Sequence, residues 1–332
     1  YLLKLYDLSD LSDDGIEVIQ PTLSADSQYE LTGDKLMMAN TTVIYVVDIA
    51  QPGEVFYEKS INDVDHAELC FTGSEYVLMT LSNGELSAER LTGGLIDLGI
   101  SDENIVYVKC EGSDYAFLVD GQRDKVFISN LEVTGSLSYT VNASASEEDE
   151  LALDDWGTPT DLDNLTITDL VFDRSHMLVT VNVTSVDRIV LIDRITGEQL
   201  LLGNGKYSSY DPSIRDGVIA WVMKDFLDPS NPIEEYYDGE IMYMYLSDNF
   251  THVLTADQID QWGPIVLEDH LIYLEESNDG VVIKVHSWTP ELKSYSNIVL
   301  QVASVVGIII VFIYINQKQI EAKPALVNQE EE

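Results

Sequence analysis

The chain has 332 residues, with 59 Asp plus Glu against 17 Lys plus Arg, a net charge of −42 and a pI near 4.1. Such a field disfavours nucleic acid and anionic lipid surfaces, because phosphate binding needs Lys and Arg to displace counterions. A hydrophobic share of 45% with recurrent strand-like runs excludes disorder, and two cysteines are too few for a disulfide scaffold.

The same charge repels itself in the folded state, and salt or divalent cations relieve that repulsion. The composition therefore points to a saline, extracellular setting. Lys outnumbers Arg by 11 to 6, the reverse of the extreme-halophile habit. The source expected is a marine or moderately saline microbe, an archaeon.

The chain opens at Tyr1 with neither an initiator Met nor an apolar leader, which reads as a processed or incomplete N-terminus. Two apolar runs follow, Tyr1 to Leu8 and Ile16 to Gln20, separated by the acidic turn DLSDLSDDG. Asp10, Asp13 and Asp14 in this turn are candidate calcium ligands, since hard cations take clustered carboxylates on a short turn. With 59 acids, chance clustering is the competing reading. No other cofactor is expected.

From Gly33 onward a period appears. Cys70-Phe-Thr-Gly73-Ser74-Glu75-Tyr76 returns as Cys110-Glu-Gly112-Ser113-Asp114-Tyr115, with the tyrosines 39 residues apart. The same turn-then-strand pattern recurs at Gly33-Asp34, Asp173, Asp216-Gly217 and Glu268-Asp269, each followed by a second strand-like run. A period near 40 built from short strands predicts β-propeller blades, six or seven of them. Cys70 and Cys110 fall at equivalent places in neighbouring units. Buried free thiols are the favoured reading and a bridge the alternative.

Two insertions interrupt the period. Residues 142–164 are acidic and turn-rich, with Trp156 as a candidate partner-binding residue and Asp161 and Asp163 as further calcium candidates. Residues 225–238 join two prolines to Phe226, Tyr236 and Tyr237, also candidate partner contacts. Long loops on rigid scaffolds are where binding concentrates, an unoccupied solvated loop being the bland alternative. Five Asn-x-Ser/Thr sequons, at Asn40, Asn142, Asn164, Asn182 and Asn249, are candidate glycosylation sites on an exported surface.

The later repeats run Asp211-Pro212-Ser213-Ile214, Gly217-Val-Ile219-Ala-Trp221, Gly239-Glu-Ile241-Met-Tyr243-Met-Tyr245 and Leu254-Thr255, and the next begins Asp260-Gln-Trp262-Gly-Pro264-Ile265. This rhythm resembles the TolB-like propeller repeats of periplasmic and cell-surface proteins. The resemblance covers about 65 residues, because the first three units lack the Pro and the Trp. It implies the propeller architecture and a cell-surface or periplasmic setting.

No Gly-x-Ser-x-Gly, His-Glu-x-x-His, phosphate-binding Gly-rich loop or Cys-x-x-Cys occurs, and the five histidines lack ligand spacing. An enzyme is not expected. Near the C-terminus, Ile298 to Ile315 carries no charge, and as a helix it measures roughly 27 Å, close to a bilayer core. Lys318 and Lys323 beyond it place the tail in the cytoplasm by the positive-inside rule.

The expectation is all-β: an extracellular β-propeller over 1–296, a single C-terminal transmembrane α-helix over 297–316, and a cytoplasmic tail over 317–332. Its expected role is a non-catalytic protein- or glycan-binding or structural subunit of a cell-envelope or membrane complex. The alternatives are a propeller-based hydrolase or lyase, or a ligand-sensing surface receptor. Partners would be envelope or membrane-complex proteins and surface glycans, with no nucleic acid.

Overall fold

The structure is a computed structural model. It describes residues 27–141, 165–225 and 239–287 apart from gaps of one to four residues, together with strands 3–5 and 16–18. The apolar run at 298–315 and the flanking tail lie outside the described residues, as does the proposed anchor with them. The described residues hold no helix long and apolar enough to cross a membrane.

The described elements are all strands. β1 (Leu3–Leu5) and β2 (Ile16–Val18) form a two-stranded sheet of their own. Blade 1 follows as β3 (Gln28–Thr32), β4 (Lys35–Ala39), β5 (Val43–Asp48) and β6 (Val55–Ser60). Blade 2 is β7 (Val64–Phe71), β8 (Tyr76–Ser82), β9 (Glu85–Arg90) and β10 (Leu95–Ile96). Blade 3 is β11 (Ile105–Glu111), β12 (Asp114–Val119), β13 (Lys125–Asn130) and β14 (Val133–Thr140). Blade 4 is β15 (Thr166–Phe172), β16 (His176–Val183), β17 (Val186–Asp193) and β18 (Gln199–Leu202). Blade 5 is β19 (Tyr207–Arg215), β20 (Val218–Asp225), β21 (Gly239–Tyr245) and β22 (Phe250–Val253). The last sheet has three strands, β23 (Gln261–Val266), β24 (His270–Ser277) and β25 (Gly280–Ser287).

This is a six-bladed β-propeller, so the sequence period holds and the β1–β2 pair adds no seventh blade. The chain falls into two compact units, Tyr1–Glu268 with Ile272–Lys284, and Asp269–Leu271 with Val285–Glu332. The second is described only at His270, Leu271 and Val285–Ser287.

The turns follow from the sequence. Asn83-Gly84 and Asp216-Gly217 each hold two consecutive residues at positive φ (52° and 80°, 50° and 80°). That is the pairing of a tight hairpin whose twist matches its strands.

Packing follows from the alternation of side chains along a strand. In β8, Leu78 enters a core with Met37, Ile44 and Val46 of blade 1, while Val77 and Met79 enter another with Val108 and Phe117 of blade 3. In β16, Met177 and Val179 face blade 3 while Leu178 faces Trp221 and Met242 of blade 5. Among the described residues, hydrophobic cores therefore lie between blades 1 and 2, 2 and 3, 3 and 4, and 4 and 5.

Cys70 and Cys110 form a disulfide across the seam of blades 2 and 3, with Cα atoms 5.8 Å apart. The favoured reading of free thiols is thus corrected. Both cysteines sit on the first strands of neighbouring blades and project into the same core. A cross-link spanning 40 residues stabilises by about 4 kcal/mol in the chain-entropy description. The Cys70→Ala/Cys110→Ala double variant is expected to lose stability of that order in urea titrations. Reductant should then have no further effect on it.

Candidate functional site

The first strands of successive blades, β3, β7, β11, β15, β19 and β23, touch one another and form the inner wall of the propeller. Four of them carry a register shift, near the start between Val64 and His66, Ile105 and Tyr107, and Ile167 and Asp169, and mid-strand between Tyr210 and Ser213. A bulge re-aims the side chains that follow it. In blades 2, 3 and 4 the residue that resumes pairing is His66, Tyr107 and Asp169. The His66 and Tyr107 rings lie 5.1 Å apart, and Tyr107 Oη donates to Asp169 Oδ1 at 3.0 Å.

Beside this row stands a second. Glu68, two residues beyond His66, is fully buried. Its Oε1 meets Lys109 Nζ at 3.0 Å and His66 Nε2 at 2.9 Å. Lys109 also approaches Glu30 Oε1 at 3.9 Å, so one cation serves two carboxyl groups from two blades. Glu30 Oε2 accepts the Leu69 N–H at 2.8 Å, and Gln28 exchanges hydrogen bonds with the Ala67 backbone. Blade 1 is thereby laced to blade 2 along the wall.

The electrostatics follow from enclosure. Burial, reinforced by the Glu68 charge, pushes the Glu30 carboxyl up to about 8. Burial also presses on Glu68, but the His66 hydrogen bond and the Lys109 charge outweigh it and hold Glu68 below the usual range. Lys109 is raised because Glu68 and Glu30 overcome its own desolvation. Burial, with Asp169 and Glu68 nearby, drives the Tyr107 hydroxyl well above the ordinary tyrosine value. In blade 5, Asp211 sits within the bulge at φ 49°. It is raised by burial and, more weakly, by Asp169 and Asp187, against a hydrogen bond from the Gly263 backbone.

The wall is therefore a mixed-charge network that can hold and exchange protons. The described residues include no group of three or more His, Cys, Asp or Glu arranged to hold a metal ion. A second feature is a cavity of about 270 Å³ lined by Val106, Leu118, Val119, Gln122, Arg123 and Ile167. Val106 is the residue displaced by the β11 bulge and is 53% exposed, although Ile105 beside it is buried.

Of the residues singled out from sequence, Asn40 lies at the β4–β5 turn, where its Oδ1 accepts N–H donors from Thr42 and Val43 at 2.9 Å. Asn182 lies within β16 opposite Asp187, to whose Oδ1 its amide donates at 2.8 Å. These two sequons are in different settings, a turn and a strand. Asn142, Asn164, Asn249, Trp156, Phe226, Tyr236 and Tyr237 lie outside the described residues, as do Asp10, Asp13, Asp14, Asp161 and Asp163.

Glu30, Glu68, Lys109, Tyr107 and Asp169 were not singled out. The available signal was an ionisable residue inside each apolar first strand, in His66-Ala-Glu68-Leu-Cys70 and Tyr107-Val-Lys109-Cys110. Removing the shared cation should strand a buried carboxylate. Lys109→Met is expected to destabilise by about 3–5 kcal/mol. Adding Glu68→Gln should recover part of that loss in a double-mutant cycle.

No family model matches the chain, and no curated protein matches it. Among solved structures, it is similar to a prolyl endopeptidase at a TM-score of 0.53 and 10% identity, over 84% of this chain and 46% of the other. It is also similar to a putative TolB from Agrobacterium tumefaciens (TM-score 0.43, 12% identity, 70% and 80% covered) and to BamB from Moraxella catarrhalis (0.44, 14%, 79% and 70%). At these identities the likeness is one of fold, a β-propeller.

Proposed function

We propose that the chain is a membrane-anchored, extracellular propeller serving as a non-catalytic binding subunit of a cell-envelope or membrane complex, with proteins or surface glycans as partners. The observation that carries this reading is an asymmetry between the two rims of the blades. Strand direction alternates along the chain, so second-to-third hairpins and blade-to-blade connections share one rim. First-to-second and third-to-fourth turns share the other. On that other rim no connection between described strands exceeds six residues.

Both long insertions leave from the first rim: 25 residues between β14 and β15, and 13 between β20 and β21. The Val106 cavity opens there as well, beside Arg123 and Asp124, whose carbonyls accept the Ile167 and Val141 N–H groups that flank the longer insertion. A rigid scaffold with elaborated connections and an apolar cavity on one rim is the layout of a binding surface. The engagement of His66 and Lys109 with Glu68 supports a structural use of the inner wall. The uncharged run at 298–315 supports the anchor.

The test is gentle detergent extraction from native membranes, sizing of the intact species and mass spectrometry of co-eluting chains. A defined assembly is expected. Replacing residues 144–160 by a short Gly-Ser linker should leave the melting profile unchanged and remove the partner. A lone monomer from both chains would overturn the reading.

A further inference from the structure

Glu68 is fully enclosed, yet only one of its oxygens is satisfied by a nitrogen donor. Oε1 takes His66 and Lys109, while Oε2 lies buried with no donor among the described residues. A buried carboxylate oxygen left in that state is costly and calls for a partner. The second carboxyl in the enclosure is Glu30 from the neighbouring blade, which shares Lys109 Nζ with Glu68 at 3.9 and 3.0 Å and whose charge Glu68 disfavours. Two carboxylates cannot meet in an enclosure while both are ionised, so one of them keeps a proton.

We propose that Glu30 keeps that proton and donates it to Glu68 Oε2, and that this shared proton clasps blade 1 to blades 2 and 3. The geometry assigns the direction. Glu68 already has the Lys109 ammonium and the His66 imidazole on Oε1, whereas Glu30 has only the more distant Lys109 and a backbone N–H on Oε2. The groups facing the pair are His66 from β7, Lys109 and Tyr107 from β11, Asp169 from β15 and Gln28 from β3.

Loss of the proton would place a second negative charge in the enclosure with Lys109 alone to offset both. The weak point is then the lacing of β3 to β7, through Gln28 with Ala67 and Glu30 with Leu69. Blade 1 loosens first as the medium becomes alkaline. The sign follows from linkage. Glu30 binds its proton more tightly folded than unfolded, so its stabilisation is complete below the ordinary carboxylate range. It is lost as pH rises, and the loss levels off above about 8.

Glu30→Gln is the diagnostic variant. Its amide oxygen can accept the Leu69 N–H while its NH₂ donates to Glu68, which mimics the protonated acid at every pH. Between pH 6 and 8 the wild-type folding constant is expected to fall by up to about tenfold per pH unit, and E30Q should flatten that slope. His66→Gln controls for the imidazole. After division by the base-catalysed intrinsic rate, hydrogen-exchange protection at the Ala67 and Leu69 amides should fall with pH in the wild type and not in E30Q.

A retained slope in E30Q would overturn the proposal. If E30Q does not fold, infrared spectra decide the matter in a Glu111→Gln/Asp211→Asn background, which removes two other raised carboxyl groups. A protonated carboxyl band should be present at pH 7 and lost by pH 9. Its absence at pH 7 would refute the clasp.

Discussion

A sheet whose second strand is apolar on both faces has to be covered twice, and no single blade can do that for itself. In β4 all five residues are buried, and in β8 the five central ones are, so each blade depends on neighbours on either side. The consequence is a core distributed among seams. At four seams two blades contribute side chains, and second strands such as β8 and β16 send alternate residues to the seams on either side. Stability in such an array is a property of neighbours, and a defect at one seam is felt by the blades on both sides of it.

Where the first strands converge, the same alternation would bring apolar side chains onto the inner wall. The bulges prevent this by shifting the register by one residue, and polar groups follow the shift. Mixed charge inside a chain of such acidity then has a simple logic. Lys109 is one of only 17 cations, and its position beside Glu68 and Glu30 lets one lysine tie its own blade to the acids of two others. A network of this kind gives little net stability over apolar packing but penalises any misalignment of its members.

Much of the architecture was legible in the chain. The Gly-Ser-acid-Tyr recurrence marks the hairpins between first and second strands of blades 2 and 3, and the Gly33 and Asp216-Gly217 turns mark those of blades 1 and 5. The state of the cysteines was not legible. The period sets their level on the wall, but the side of the strand they face depends on bulges that leave no signature in composition. The acid–lysine network was hidden for the same reason. Glu68 stands two residues before its cysteine and Lys109 one residue before its own, so a strict repeat reading never aligns them. Only the seam brings them to 3.0 Å.

The Cys70–Cys110 bond has a topological side as well. It joins corresponding first strands of adjacent blades, so the covalent ring it closes contains the other three strands of blade 2 and their turns. A protease that cuts an exposed turn within that ring, at Asn83 or at Gly93-Gly94, opens the backbone without freeing either piece. The two fragments stay tied, and blade 2 can remain seated between its neighbours after it has ceased to be one continuous chain.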